Sequence, residues 1–162
     1  GMNGGYPKVL SLRNDGTIWH RGQNYGTSPT GAGTTAWNQY TDYNGNAITN
    51  VSKIFMIGGH YTSHFSALTS DGLLYCWGNT QQGGDGIGVA NTNNPSTGLR
   101  PVKIPEKIID YAVYGYGSSG TGYFLVLALT ESNTCYTFGW NSSYYSANDF
   151  NGNRPTPKRV VF

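Results

Sequence analysis

The chain alternates apolar and polar residues over short stretches, and one arrangement of these stretches occurs three times. Each copy is an apolar strand, a tight turn and a second, aromatic-rich strand, at residues 9–22, 66–78 and 127–139. Gly22, Gly78 and Gly139 close the copies, which are therefore 56 and 61 residues apart. A repeat of this length predicts one supersecondary unit copied in series, because a single unit cannot bury its own apolar face.

The turns inside the three copies predict β-hairpins. Asp15-Gly16 and Asp71-Gly72 lie between alternating apolar residues, which is the strongest short-range hairpin signal in a sequence. In the third copy Ser132-Asn133 stands in place of the Asp-Gly pair. Asparagine also tolerates the left-handed backbone region, so we expect the same hairpin there.

Further segments complete each unit. An apolar strand precedes the second and third hairpins, at residues 51–58 and 108–115, whereas the first hairpin has no such strand before it. Polar excursions follow the closing glycines, at residues 23–46, 79–99 and 140–153, and loops of this length are usually functional or disordered. We predict an all-β fold of three antiparallel units with about four strands each. The units span residues 1–50, 51–107 and 108–162 and form one repeat domain, with the first unit incomplete at its N-terminal side.

Composition narrows the function classes. The chain has 24 glycines and 13 tyrosines among 162 residues, which suits short strands joined by many turns. The net charge is only +2 and no basic cluster exceeds Lys158-Arg159, so we expect no nucleic-acid partner.

No apolar stretch approaches the roughly 18–20 residues that cross a bilayer, and the first residues lack signal-peptide features. We expect no membrane insertion, and both a cytoplasmic and a virion-associated location are compatible with the sequence.

Residues with catalytic or metal-binding chemistry are few. Cys76 and Cys135 lie on equivalent strands of neighbouring units, and packed sheets are about 10 Å apart, so we expect free, buried thiols. His60 and His64 have no nearby acid or cysteine to complete a metal site. No nucleophile elbow or triad spacing is visible. We therefore expect no metal, no cofactor and no enzymatic activity.

The second unit resembles the repeat of the RCC1 (regulator of chromosome condensation) superfamily. The resemblance rests on Leu-Thr-Ser-Asp-Gly at residues 68–72, Trp-Gly-Asn at residues 77–79 and the late Arg-Pro at residues 100–101, with His64 at the family's histidine position. The first and third units have Lys8 and Leu125 at that position. The resemblance implies a β-propeller with about one four-stranded blade per repeat, and propellers carry about 4–8 blades. Three repeats therefore imply a partial propeller, or a propeller closed by oligomerisation.

Aromatic residues fall into two groups. Those that recur in the strand register are expected in the core, namely Trp19, Tyr75, Trp77, Tyr136 and Phe138. Others lie in the polar excursions, where aromatic and amide side chains together are typical of recognition loops. The candidate binding residues are Trp37, Tyr40, Tyr43, Gln81, Gln82, Trp140, Tyr144 and Tyr145. The alternative is that these aromatic side chains fasten the excursions to the rim of the blades.

Together these features favour a non-enzymatic binding module that presents polar-aromatic loops to a protein or a glycan, with a homo-oligomer also compatible. The composition resembles that of repeat modules in viral tail fibres and bacterial surface proteins. The RCC1 resemblance implies two alternatives, a guanine-nucleotide exchange regulator of a small GTPase and a propeller-type enzyme inhibitor. A purely structural spacer is a further alternative.

Overall fold

The computed structural model describes residues 8–22, 34–58, 63–78, 98–118, 121–141 and 152–161. Within these ranges the chain forms strands and turns, and no helix. The all-β class predicted from the sequence is confirmed. The strands are β1 (Lys8–Leu12), β2 (Ile18–Gly22), β3 (Thr34–Gln39), β4 (Val51–Gly58), β5 (Ser63–Thr69), β6 (Leu74–Gly78), β7 (Ile108–Ser118), β8 (Thr121–Thr130), β9 (Cys135–Asn141) and β10 (Gly152–Arg159).

These strands form three antiparallel sheets in chain order, which we name blades. Blade 1 is β1-β2-β3, blade 2 is β4-β5-β6 and blade 3 is β7-β8-β9-β10. In blade 2 the place of a fourth strand is taken by an isolated bridge between Pro101 and Tyr75. Blade 3 therefore has the four strands expected of each unit, whereas blades 1 and 2 have three strands each in the described part of the chain.

Each blade contains the hairpin that the sequence predicts. In the first, the Arg13 amide donates to the Thr17 carbonyl and the Gly16 amide donates to the Arg13 carbonyl, both at 2.9 Å. The third loop residue has a left-handed backbone in all three hairpins, with φ 76° at Gly16, 92° at Gly72 and 58° at Asn133. The third turn works without glycine because asparagine tolerates this backbone region.

The hairpins also join one blade to the next. The Gly16 carbonyl accepts a hydrogen bond from the Val51 amide at 3.0 Å, and the Gly72 carbonyl accepts one from the Ile108 amide at 3.1 Å. Val51 and Ile108 begin β4 and β7, so the same hydrogen bond occurs at both junctions. We call β4 and β7, the strands that precede the second and third hairpins, leading strands. Each lies against the preceding blade, β4 against β1 and β7 against β4 and β5, so the blades stack in series.

Two apolar clusters fill the space between the blades. The cluster between blades 1 and 2 contains Ile18, Tyr40, Ile48, Val51, Phe65, Ala67, Tyr75, Trp77 and Leu99. The cluster between blades 2 and 3 contains Leu68, Leu74, Cys76, Val102, Ile108, Tyr111, Val126, Ala128 and Phe138. Alternate residues of β6 point to opposite faces and contribute to both clusters, so the whole of this strand is buried.

Three of the five aromatic residues expected in the core are buried, and two are half-buried. Trp19 lies on the face of blade 1 that points away from blade 2, and the Arg13 guanidinium covers its ring at 3.7 Å. Tyr136 reaches the surface, where its hydroxyl donates to the Glu106 carboxylate at 2.8 Å. The core prediction is therefore wrong for Trp19, which has no described blade on its side, and for Tyr136, which lies on the blade 2 side but ends at Glu106 on the surface.

We predict that replacing Gly72 by alanine destabilises the protein more than replacing Gly45. Both glycines have positive φ, 92° and 84°, so each substitution costs about 1–2 kcal/mol of backbone strain. A Cβ on Gly72 would in addition meet the Lys107 side chain and lie 2.9 Å from the Ile108 nitrogen, whereas nothing lies within 4 Å of one on Gly45. The clash should cost about another 1–3 kcal/mol. Equal decreases in the free energy of unfolding for the Gly72 and Gly45 variants, measured by urea denaturation, would contradict the importance of the junction between blades 2 and 3.

Candidate functional site

The structure places four of the eight candidate binding residues, and they do not form one site. Gln81, Gln82, Tyr144 and Tyr145 lie outside the described residues. Trp37, Tyr40 and Tyr43 belong to blade 1 and the segment that follows it, whereas Trp140 belongs to β9 of blade 3. The Trp140 ring packs against Tyr123 with 4.8 Å between the ring centroids. Trp37 is 41% exposed on β3.

Tyr40 is a core residue, which corrects its assignment as a binding residue. Its side chain is 2% exposed. The ring packs against His20 at 4.5 Å and meets the edge of Trp77 at 4.9 Å between centroids, and burial raises the pKa of its hydroxyl. The Tyr40 amide donates to the Ile18 carbonyl at 2.9 Å, which extends the β2–β3 pairing and turns this side chain into the interior. A ligand cannot contact it without opening the core.

Tyr43 lies three residues further on and is 49% exposed. It stands on a turn that the Asp42 side chain closes, because Asp42 Oδ1 accepts hydrogen bonds from the Asn44 and Asn46 amides, both at 2.9 Å. Partial desolvation acts to raise the pKa of Asp42, but the Asn46 and Asn44 donors outweigh it and hold the pKa below its usual range. The carboxylate therefore stays ionised and keeps the turn closed at neutral pH.

A segment of blade 2 braces this turn. The Tyr43 amide donates to the Leu99 carbonyl at 3.0 Å, and the Leu99 amide donates to the Thr41 carbonyl at 2.9 Å. Gly98 has φ 97°, and a Cβ there would overlap the Asp42 carbonyl. Glycine is thus required at this position both for its backbone conformation and for the close approach of two chain segments.

Arg100 follows directly and completes an exposed surface. Its guanidinium lies 5.3 Å from the centroid of the Tyr43 ring, within the range of a cation–π interaction. The sequence indicates Arg100 only as part of the Arg-Pro motif at residues 100–101. No local signal could link it to Tyr43, because a backbone pairing between residues far apart in sequence brings them together. We call these two residues the Tyr43–Arg100 surface.

Titratable groups outside this surface offer little chemistry. Cys76 and Cys135 are free, as predicted, the first buried and the second half-buried. No group of three or more His, Cys, Asp or Glu side chains that could hold a metal ion occurs within the described ranges. The same part of the chain contains no apolar helix long enough to span a membrane.

His64 is fully buried between blades 2 and 3. Its exposure is 0% and its ring lies 5.3 Å from that of Phe124. Neither ring nitrogen has a hydrogen-bond partner among the described residues. Burial lowers the pKa of His64 to about 3, so the imidazole is neutral in the folded protein. The histidine that the sequence singled out therefore packs the junction between the blades.

No protein-family model matches the sequence. Solved structures show the fold. The chain is similar to human WBSCR16 with a TM-score of 0.64 and 14% identity, over 95% of this chain and 35% of that protein. It is similar to Prp20p from Saccharomyces cerevisiae with a TM-score of 0.60 and 17% identity, over 96% of this chain and 36% of that one. The chain is also similar to the structure titled Kap60 bound to yeast RCC1 (Prp20), with a TM-score of 0.59 and 16% identity, over 96% of this chain and 33% of that one.

These similarities define the class of fold. The chain has the fold of an RCC1-like β-propeller, and the resemblance noted in the sequence is confirmed at that level. It spans about a third of the length of the proteins it matches, which is consistent with a partial propeller of three blades.

We predict that the free energy of unfolding decreases as the pH is lowered, and that His64 causes part of this decrease. Because its pKa is lower in the folded state than the ordinary 6.5, protons favour the unfolded state. The contribution is complete above about pH 7 and is lost as the pH falls through 6.5 toward 3. Between pH 7.5 and 5.0 the wild type should lose on the order of 1–2 kcal/mol more than His64→Leu in urea denaturation.

The His64→Leu variant suits this test because Leu125 occupies the aligned position in blade 3. Because the ordinary pKa values of carboxylates are about 4, measurements above pH 5 limit their contribution to the change in the free energy of unfolding. His20, whose pKa burial also lowers, is present in both proteins. Identical pH dependence in the two proteins would show that the His64 imidazole becomes protonated without opening the junction.

Proposed function

We propose that this chain is a non-enzymatic module that binds a protein through the Tyr43–Arg100 surface. Tyrosine and arginine are enriched among the residues that dominate protein interfaces. The turn that carries Tyr43 is closed by the Asp42 carboxylate and paired to Leu99, so little conformational entropy is lost when a partner binds. The exposed Tyr43 ring beside the Arg100 guanidinium is the observation that carries this proposal.

The structural neighbours support a protein partner. Prp20p is described with its binding to Gsp1p and histones, and yeast RCC1 (Prp20) with bound Kap60. The exposed aromatic surface is also compatible with a glycan, as in a viral fibre or a bacterial surface protein. Trp37, 41% exposed on β3, is a second exposed aromatic side chain of blade 1. Closure of the propeller by a second copy is compatible with either ligand.

A regulator of guanine-nucleotide exchange is the second candidate function. The described binding of Prp20p to Gsp1p favours it. Against it, the net charge of +2 is low for a partner of chromatin. Acceleration of nucleotide release from a small GTPase by this chain would support it, and unchanged release would exclude it.

We predict that the double variant Tyr43→Ala, Arg100→Ala loses binding to a protein ligand by tenfold or more, about 1.4 kcal/mol or above, because two interface anchors are removed. The probes are purified Gsp1p, Kap60 and core histones, with an oligosaccharide array for the glycan alternative. Tyr114→Ala is the matched control, since this tyrosine is 64% exposed on blade 3. Equal affinity of the double variant and the control would refute the assignment of this surface, and binding to glycans alone would refute a protein partner.

A further inference from the structure

The turn carboxylate of blade 2 has no partner, unlike its equivalent in blade 1. Asp15 Oδ1 accepts hydrogen bonds from the Thr17 amide at 3.0 Å and from the Thr17 hydroxyl at 2.6 Å. In blade 2 the equivalent acid is Asp71, but Leu73 stands at the Thr17 position. The Leu73 amide donates to the Thr69 hydroxyl at 2.9 Å instead. The exposed Asp71 carboxylate therefore forms no hydrogen bond or ion pair with any residue that the structure describes.

The Tyr75 hydroxyl also has no partner. Its side chain is 6% exposed and packs in the cluster between blades 1 and 2. At the equivalent position of blade 3, the Tyr136 hydroxyl donates to the Glu106 carboxylate at 2.8 Å. Thr49 stands at the Glu106 position before blade 2, and within the described ranges nothing hydrogen-bonds to the Tyr75 hydroxyl. Buried tyrosines usually have a hydrogen-bond partner, so this hydroxyl lacks one that another molecule could supply.

Backbone pairing brings these two groups beside the Tyr43–Arg100 surface. Tyr75 pairs with Pro101, and the same segment of blade 2 pairs with Asp42. Burial raises the pKa of the Tyr75 hydroxyl, and the Asp42 and Asp71 carboxylates raise it further. The Tyr43 hydroxyl acts in the same direction. These three side chains therefore lie near the Tyr75 hydroxyl and make its surroundings negative.

No cation of the chain neutralises this negative charge. Arg100 forms no ion pair with Asp42 or Asp71, and neither does any other lysine or arginine side chain that the structure describes. The segments outside the described ranges contain no lysine or arginine. Lys53, in contrast, pairs with Asp110 at the junction between blades 2 and 3. These observations favour a cation that comes from another molecule.

We propose that a lysine or arginine side chain of the partner binds between Asp71, Tyr75 and Tyr43, which we call the cation site. The nitrogen of this side chain donates to the Asp71 carboxylate and to the Tyr75 hydroxyl oxygen, and its charge lies against the exposed Tyr43 ring. Asp42 adds negative charge, while its Oδ1 atom holds the turn. The inference rests on the proposed function and specifies the chemistry of the partner, an exposed basic segment.

The probe is Nα-acetyl-lysine methylamide, and its Nε-acetylated form, which has no charge, is the control ligand. We expect saturable shifts of the Tyr75 ring and Asp71 carboxylate signals in NMR titrations at neutral pH. The dissociation constant should be on the order of millimolar, because one exposed ion pair and one cation–π contact are weak. The control ligand should bind about tenfold more weakly or less, since acetylation removes the charge.

Two variants test the cation site, and two matched controls test its position. Asp71→Asn removes a charge that no described residue uses, and Tyr75→Phe removes the hydroxyl but keeps the buried ring. Each should weaken binding of the lysine probe about threefold to fivefold. Glu131→Gln and Tyr136→Phe make the same chemical changes on the equivalent hairpin and strand of blade 3. Their affinity for the probe should stay within about twofold of the wild type, because they lie outside the site.

The same variants separate this inference from the proposed function. With Gsp1p, Kap60 or core histones, Asp71→Asn should weaken binding about threefold or more at low salt, and the difference should shrink at high salt. If the double variant of Tyr43 and Arg100 loses protein binding while Asp71→Asn keeps it, the inference is wrong and the proposed function stands.

Two further results would overturn the inference, namely no saturable shift with the lysine probe, or equal affinity for its Nε-acetylated form. If none of the three proteins binds, the proposed function fails. Lysine binding that Asp71→Asn weakens and Glu131→Gln does not would then still support the cation site.

Discussion

One backbone hydrogen bond, from the first amide of a leading strand to the carbonyl of the preceding hairpin, sets the spacing of the blades. It joins Val51 to Gly16 and Ile108 to Gly72, and each hairpin must have a left-handed residue to make it. The bond contributes only about 1 kcal/mol by itself. Its position matters more, because it lets the apolar faces of neighbouring sheets meet and exclude water.

Burial follows from this stacking. Blade 2 has a neighbour on each side, so every residue of β6 is buried, and its two faces join different apolar clusters. The end blades have one neighbour each. Val9 in blade 1 and Leu127 in blade 3 are therefore exposed, whereas the equivalent residues of β5 in blade 2, Phe65 and Ser66, are buried. A sheet of this kind depends on the next one for its stability, so the surfaces left at the ends are the ones open to a partner.

The Tyr43–Arg100 surface also depends on the contact between blades 1 and 2. Residues 42–46 form a turn that its own aspartate closes, and a segment of blade 2 holds that turn in place. Tyr43 and Arg100 thus come from different repeats and meet above a junction that the fold already needs. A rigid support of this type favours recognition, since the exposed side chains lose little freedom on binding.

The repeat, the hairpins and the free thiols could be predicted from the sequence, because each depends on local backbone preferences or on spacing along the chain. Asn133 was predictable as a left-handed residue for that reason. The difference between Tyr40 and Tyr43, which have similar sequence surroundings, could not be predicted and depends on tertiary contacts. Pairing with Ile18 turns Tyr40 into the core, and pairing with Leu99 leaves Tyr43 at the surface beside Arg100. Contacts between distant segments made that choice, and no local pattern encodes them.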